Sequence, residues 1–317
     1  MAMQRNPVYY IKRRQQYKDR FMKYIFLLIT LLSLSLAWAD DLRIVQVKDG
    51  KTLTLQDLGK ALEAYDLIFF GEFHDNSTLH QLERDILPLL DGKRELVLSF
   101  EMFERDVQSV LTDYVEGKID EANFLENSRP WGNYDPDYKP LVEYAKEHKL
   151  KAIAANVPRI YAGKLARQGM EFLEELDAEE RGWLAAKITA PDDAYKSAFY
   201  AYMGADSSPM HAMNAEMNTI EPMYQAQCLK DDTMAESIVF ALKAKPKARL
   251  IHFNGDFHSR AFLGTVSRVM EALPKLKIAV ISPVYTPAWQ TQNLNEDDNQ
   301  AGTYIIFLPE PLEGGDN

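Results

Sequence analysis

Residues 67–74 read Leu-Ile-Phe-Phe-Gly-Glu-Phe-His. The four apolar residues before Gly71 are too few for one face of a helix and are typical of a buried strand. Side chains alternate across an extended chain, so Glu72 and His74 point to the same side if the strand continues. The stretch therefore predicts a carboxylate and an imidazole at the C-terminal end of a buried strand, the edge where open parallel sheets bind ligands.

The same pattern returns late in the chain. Residues 249–253, Arg-Leu-Ile-His-Phe, read as a second buried strand, and Gly255-Asp256-Phe257-His258 follows it after Asn254. Each motif thus has a glycine, an acid, a phenylalanine and a histidine at the end of a predicted strand. One explanation is that both strand ends meet at one site; the other is that each glycine only makes a turn and each histidine is a polar loop residue. The matched pair favours a shared site.

Glu101 is a third candidate for this site. Residues 95–100 form another predicted strand, which runs directly into Glu101. A carboxylate beside an apolar strand is costly unless it is paired or coordinated. The alternative is that Glu101 caps the next helix. His80, on the helix that follows His74, is expected to be a surface or packing residue.

Strands and helices alternate along the chain, which predicts an α/β fold with a mostly parallel central sheet flanked by helices. Residues 40–160 and 245–317 are assigned to this core, and residues 161–244 to an inserted helical subdomain. The sequence has no glycine-rich nucleotide loop and no Gly-x-Ser-x-Gly motif, and its one cysteine, Cys228, has no obvious catalytic partner. Nucleotide binding and an acyl-enzyme mechanism therefore have no support.

The charge distribution bears on partners and location. The chain has a net charge of −11 and no basic stripe in its folded part, which argues against nucleic acid as a partner. Residues 1–39 instead hold seven Lys or Arg against one acid, an apolar run at 24–36 and a small-x-small site at 37–39, as an export signal does. We expect an exported, periplasmic protein without a lipobox cysteine, with Met1 or Met22 as the start. An uncleaved anchor is the alternative.

The predicted helical subdomain is rich in tyrosine and methionine. Such side chains at helical spacing form either part of the core or a flat apolar ligand site, because thioethers and rings adapt to a planar surface. The residues concerned are Tyr195, Tyr200, Tyr202, Tyr224, His211 and the methionines at 203, 210, 213, 217, 223 and 234.

Six ordered motifs between residues 60 and 285 resemble those of the ChaN-like haem-binding uptake family of the Tiki superfamily. They are Gly71-Glu72-Phe73-His74; Glu101-Met102-Phe103 with Gln108; Trp131, Tyr138 and Pro140-Leu141; Asn156-Val157-Pro158-Arg159; Gln227 with Asp231 and Met234-Ala235; and Gly255-Asp256-Phe257-His258.

The resemblance implies an α/β core with a helical subdomain, a role in haem or iron uptake, and haem held through tyrosine at a dimer interface. Tyr195, Tyr200, Tyr202 and Tyr224 are the candidate ligands, and Lys196 and His211 are candidates for contacts with the propionates. A homodimer is expected, with peripheral association with an outer-membrane haem receptor. Asp256 replaces a glutamate in the second motif, which weakens the equivalence of the two motifs.

The resemblance also implies kinship with metalloproteases and erythromycin esterase-like hydrolases. The alternative function is therefore a metal-dependent hydrolase. His74 and His258 would bind a divalent ion with Glu72 or Glu101, and a spare carboxylate would act as the base.

Overall fold

A computed structural model describes residues 42–205 and 217–311 of the chain. The predicted export signal and His211 lie outside these residues. The described part contains one eight-stranded sheet in the order β2-β1-β8-β7-β3-β6-β4-β5. The strands are β1 Arg43–Gln46, β2 Lys51–Leu53, β3 Leu67–Glu72, β4 Leu96–Glu104, β5 Lys151–Asn156, β6 Arg249–Gly255, β7 Ile278–Tyr285 and β8 Tyr304–Leu308.

The sheet is mostly parallel, which confirms the predicted fold class. The six strands from β8 to β5 run parallel to their neighbours, while β1 pairs antiparallel with both β8 and β2. Strand β3 lies in the middle, between β6 and β7. Because all six parallel strands end at one edge, the polar residues that follow them are brought to the same side of the molecule.

Eleven α-helices lie between and after these strands in the described part of the chain. They are α1 Leu55–Leu62, α2 Ser77–Leu90, α3 Gln108–Val115, α4 Glu121–Ser128, α5 Lys139–His148, α6 Arg159–Gln168, α7 Ala178–Gly182, α8 Ala194–Ala205, α9 Met217–Ala244, α10 Gly264–Ala272 and α11 Glu296–Ala301. Helix α2 begins at the position expected from the sequence, because the side chain of Asn76 accepts a hydrogen bond from the backbone N–H of Leu79.

Strand β3 is buried on both faces, which explains its unbroken apolar sequence. Ile68 and Phe70 point into the core formed with helices α1, α2, α3 and α5. Leu67 and Phe69 point to the opposite face, where helices α9 and α10 cover the sheet. The chain therefore forms three layers, with the sheet in the middle.

Among the described residues from 157 to 244 there is no strand, and helix α9 spans 28 residues. The second half of α9 packs on the sheet through residues such as Ile238. Its first half instead packs on helix α8, where Tyr224 lies in a cluster with Tyr195 and Phe199. Helix α9 thus ties the helical region to the sheet; the division into a core and a subdomain stays a prediction. None of the described helices combines the length and the apolar character needed to span a bilayer.

Candidate functional site

The C-terminal edge of the sheet opens into a cavity of about 1170 Å³. The last residues of five parallel strands line it: Glu72 of β3, Glu104 of β4, Asn156 of β5, Gly255 of β6 and Tyr285 of β7. A cavity at this edge is the common location of ligand sites in open α/β sheets. Its floor is polar, and its walls are largely aromatic.

The first motif places Glu72 and His74 in contact on the floor of the cavity. The Nδ1 atom of His74 lies 2.7 Å from Oε1 of Glu72, as expected for two side chains on the same side of an extended chain. The hydroxyl of Tyr138 donates to the same oxygen at 2.7 Å. Burial alone would lower the pKa of His74, but the hydrogen bond to Glu72 and the negative charges of Glu101 and Glu72 together raise that pKa above its ordinary value. His74 is therefore a carboxylate-oriented imidazole whose side chain is still 45% exposed.

The second motif places His258 between two carboxylates. Its Nδ1 lies 2.8 Å from Oδ1 of Asp231, and its Nε2 lies 3.2 Å from Oε1 of Glu101. Burial would lower the pKa of His258, but these two negative charges raise it to about 9. Asp231 also accepts hydrogen bonds from Thr265 at 2.8 Å and from Tyr195 at 2.7 Å. His258 is thus a fixed, positively charged group.

Glu101 joins the two motifs. Its Oε2 accepts the backbone N–H of Gly255 at 2.7 Å, while its Oε1 faces His258. Burial would raise the pKa of Glu101, but the charge of His258 holds it below its ordinary value. A Cβ atom added to Gly255 would lie 2.8 Å from Nε2 of His74, so the first histidine rests against the glycine of the second motif. The structure therefore brings Glu72, His74, Glu101 and His258 together at the floor of one cavity.

The two motifs are not equivalent in their contacts. Strand β3 pairs with β6 so that Glu72 lies opposite Gly255 and not opposite Asp256. Asp256 accepts hydrogen bonds from Ser282 and from Arg260. The acid of the second motif therefore does not orient its own histidine, and Asp231 of helix α9 does so instead.

The predicted metal set is not assembled as four converging ligands. Both ring nitrogens of His258 face carboxylates, and Nδ1 of His74 is held by Glu72. Within the described ranges, the group of three possible ligands whose atoms lie within 4.8 Å of one another is Glu72, His80 and Glu83. His80 is only 4% exposed, and its hydrogen bonds to Glu83 and to the His74 carbonyl make it more than the packing residue expected from the sequence.

The four candidate tyrosines occupy different environments. The hydroxyl of Tyr195 donates to Asp231, that of Tyr224 to the carbonyl oxygen of Pro191 at 2.6 Å, and that of Tyr200 to Glu221 at 2.7 Å. Tyr202 lines the cavity and is 62% exposed.

The candidate cations also differ from the expectation. Lys196 does not line the cavity, and its ammonium group lies 2.8 Å from Glu221. Lys230 of helix α9 does line the cavity. Sequence reasoning missed Lys230, although it neighbours Asp231 and lies three residues after Gln227, a spacing that places Lys230 and Gln227 near each other on a helix.

Comparison with known proteins agrees with this geometry. The sequence profile of the family described as haem-binding uptake, Tiki superfamily, ChaN matches residues 58–269. A structure of ChaN of Campylobacter jejuni, described as showing cofacial haem binding, superimposes with a TM-score of 0.64 at 16% identity, covering 85% of this chain and 97% of that chain. A mutant of the erythromycin esterase EreC in its open conformation superimposes with a TM-score of 0.50 at 10% identity. This superposition covers 84% of this chain and 97% of that chain. At these identities the two structures establish a shared fold.

A search of curated proteins gave no match. The profile covers two thirds of the sequence, and both glycine-histidine motifs lie within the matched residues. The chain belongs to the ChaN family of haem-binding uptake proteins in the Tiki superfamily.

Proposed function

We propose that this protein binds haem in the cavity at the C-terminal edge of the sheet and acts in haem or iron uptake. The observation that supports this proposal is that one cavity has aromatic walls and an exposed tyrosine, Tyr202. The walls are formed by aromatic side chains from five parts of the chain: Phe73, Trp131, Phe199, Tyr202, Phe257 and Tyr285. Ligand pockets span about 300–1,000 Å³, so a cavity of about 1170 Å³ has room for a large planar ligand.

Tyr202 is the proposed axial ligand. Haem iron in the ferric state accepts a phenolate, as in tyrosine-ligated haem proteins. In the described part of the chain the hydroxyl of Tyr202 makes no hydrogen bond, whereas burial and the charge of Asp231 raise the pKa of Tyr195 well above its ordinary value. The hydroxyl of Tyr202 is therefore accessible to the iron, and its ring lies 5.8 Å from that of Phe257 in the cavity wall.

Lys230 and Arg159 are the proposed partners of the haem propionates. Both line the cavity, and Lys230 forms no ion pair within 4.0 Å in the described ranges. The guanidinium of Arg159 is 62% exposed and donates to Glu104 at 2.7 Å. Since the chain has a net charge of −11, affinity for an anionic ligand must come from these local cations, apolar burial and the iron bond.

Titration of the purified protein with hemin, followed at the Soret band, tests the proposal. We expect a saturable red-shifted band for the wild type, and a changed spectrum with weaker binding for Tyr202→Phe. Tyr200→Phe is the matched control, because Tyr200 is on the same helix but bonded to Glu221. A wild-type protein without a Soret shift contradicts haem binding; a Tyr202→Phe spectrum equal to that of the wild type contradicts the ligand assignment alone.

We also propose that the protein is exported and that two copies enclose haem between their cavities, with an outer-membrane haem receptor as a peripheral partner. The exposure of Tyr202 at the cavity wall supports this assembly, because a ligand bound there would remain partly open to solvent in one copy. Sedimentation of the protein with and without hemin tests it. A monomer in both samples contradicts the dimer.

A metal-dependent hydrolase is the second candidate, and one observation favours it. Glu72 holds Nδ1 of His74 and Asp231 holds Nδ1 of His258, an arrangement that fixes ring orientation in metal-binding histidines and leaves Nε2 for the ion. Glu101 would complete the ligand set beside Nε2 of His258. A bound ion would supply an activated water. Metal analysis of His258→Gln tests this: an unchanged metal content contradicts a cavity metal.

A further inference from the structure

A group of buried polar side chains lies beneath the cavity floor, and the proposed haem site does not use it. It consists of Glu72, His80 and Glu83, hereafter the buried cluster. These residues are 1%, 4% and 0% exposed. Glu72 ends strand β3, and His80 and Glu83 lie three residues apart on helix α2, so both face the strand from one side of the helix.

The hydrogen-bond partners of His80 fix its tautomer. Its Nε2 lies 3.0 Å from the carbonyl oxygen of His74, which can only accept a hydrogen bond, so Nε2 carries a hydrogen. In the neutral ring, Nδ1 then holds the lone pair, whereas a protonated ring donates from Nδ1 as well. That atom lies 2.9 Å from Oε2 of Glu83 and 3.4 Å from Oε2 of Glu72. Three electron-pair donors therefore converge on one point.

One oxygen of each carboxylate in the buried cluster also lacks a donor. Oε2 of Glu72 and Oε1 of Glu83 are buried and have no hydrogen-bond partner in the described structure. The other oxygen of Glu72 already accepts from Tyr138 and contacts His74. Burying two carboxylates beside each other without a compensating cation costs several kcal/mol per charge. Either a bound cation or a proton on Glu83, whose pKa burial and the charge of Glu72 raise well above its ordinary value, offsets this cost.

We propose that the buried cluster is a structural site for a divalent transition-metal ion of the zinc type. Two carboxylates and a neutral imidazole neutralise a doubly charged ion and form a mixed nitrogen and oxygen ligand set that zinc accepts. Ligand atoms about 2.1 Å from a tetrahedral zinc ion lie about 3.4 Å from one another. The contacts of Nδ1 with the two carboxylates, 2.9 and 3.4 Å, are close to this spacing.

The site has a consequence for the cavity above it. Glu72 uses Oε2 toward the buried cluster and Oε1 toward His74. An ion bound below therefore fixes the carboxylate that orients the histidine above. His74 keeps its orientation for a ligand in the cavity only while Glu72 is held.

The test measures metal bound to the full chain by mass spectrometry and the melting temperature after EDTA treatment and after adding Zn²⁺. We expect one ion per chain in the wild type, a lower melting temperature after EDTA, and its recovery with Zn²⁺. Glu83→Gln and His80→Asn should lose the ion. His148→Asn should keep it, because His148 pairs with Asp91 near the surface.

Glu83→Gln separates a metal ion from a shared proton. A glutamine imitates a protonated glutamate, so a cluster held by a proton on Glu83 would leave this variant as stable as the wild type. That result contradicts the site, as does an EDTA-treated wild type that Zn²⁺ neither binds nor stabilises. The EDTA and Zn²⁺ measurement needs no variant to fold and does not involve hemin, so it is independent of the proposed haem function.

Discussion

Substituting Gly255 with alanine should disturb the floor of the cavity directly. An added Cβ would lie 2.8 Å from Nε2 and 2.9 Å from Cε1 of His74, well inside the 3.4 Å at which ordinary contact begins. Gly255 is held by the hydrogen bond from its N–H to Glu101, so the ring of His74 is the group that moves. The ring can move into the cavity, because the side chain of His74 is 45% exposed.

The loss of stability follows from the hydrogen bond between His74 and Glu72, which this movement breaks. His74 and Glu72 are 2.7 Å apart, and a hydrogen bond to a charged group contributes about 1.5–3 kcal/mol to stability. Since His74 is half exposed, we take the lower end and expect Gly255→Ala to reduce the free energy of unfolding by about 1.5 kcal/mol. The pKa of His74 should fall at the same time, because Glu72 no longer raises it.

Urea unfolding measures the stability change, and NMR of the histidine ring measures the pKa. Gly182→Ala is the matched control, because a Cβ at Gly182 in helix α7 meets no atom within 4 Å. We expect the control to be neutral or slightly stabilising, as alanine is favoured over glycine in helices. If Gly255→Ala unfolds at the wild-type urea concentration and leaves the His74 titration unchanged, the two motifs do not meet as described.

Three further outcomes are expected. In EDTA-treated protein, the pKa of His258 is raised to about 9 from 6.5, so its stabilising contribution is complete below pH 6.5 and is lost as the pH rises through 9. Between pH 6 and pH 10, the free energy of unfolding in urea should fall on the order of 3 kcal/mol more for the wild type than for His258→Gln. Equal losses contradict the pairing of His258 with two carboxylates. Lys230→Met should weaken hemin binding about tenfold, the equivalent of about 1.4 kcal/mol. A variant that binds hemin as tightly as the wild type contradicts a contact between Lys230 and haem. Gly71→Ala should destabilise by about 1–3 kcal/mol, because its Cβ would lie 2.9 Å from a backbone carbonyl that cannot move aside; wild-type stability in urea contradicts this.

The sheet could be predicted because the apolar sequence of its central strand, β3, has one clear physical explanation. Residues 67–70 are apolar without interruption since helices cover both faces of β3, and this pattern has few alternatives. The convergence of the two motifs followed from the same reasoning, because parallel strands end at one edge. The one-residue offset that places Glu72 beside Gly255 depends on register, which a single sequence does not specify.

The side chains contributed by helices were harder to predict. Tyr195 and Tyr202 are seven residues apart on one face of helix α8, where both rings pack against Phe257, and Tyr200 lies on another face. Composition therefore indicates a tyrosine-rich helix but not which ring lines the cavity. The pairing of Asp231 with His258 depends on how helix α9 crosses the sheet. The burial of His80 depends in the same way on the rotation of helix α2 about its axis.

The most direct test of a single cavity that contains both motifs and the haem is histidine-ring NMR during a hemin titration. Ferric haem is paramagnetic and broadens the signals of nearby nuclei. We predict that the signals of His74 and His258, assigned with His→Gln variants, broaden together as hemin binds, since both line the cavity. The signal of His148, which pairs with Asp91 and does not line the cavity, should remain sharp. Binding of hemin that leaves His74 and His258 sharp would contradict the account.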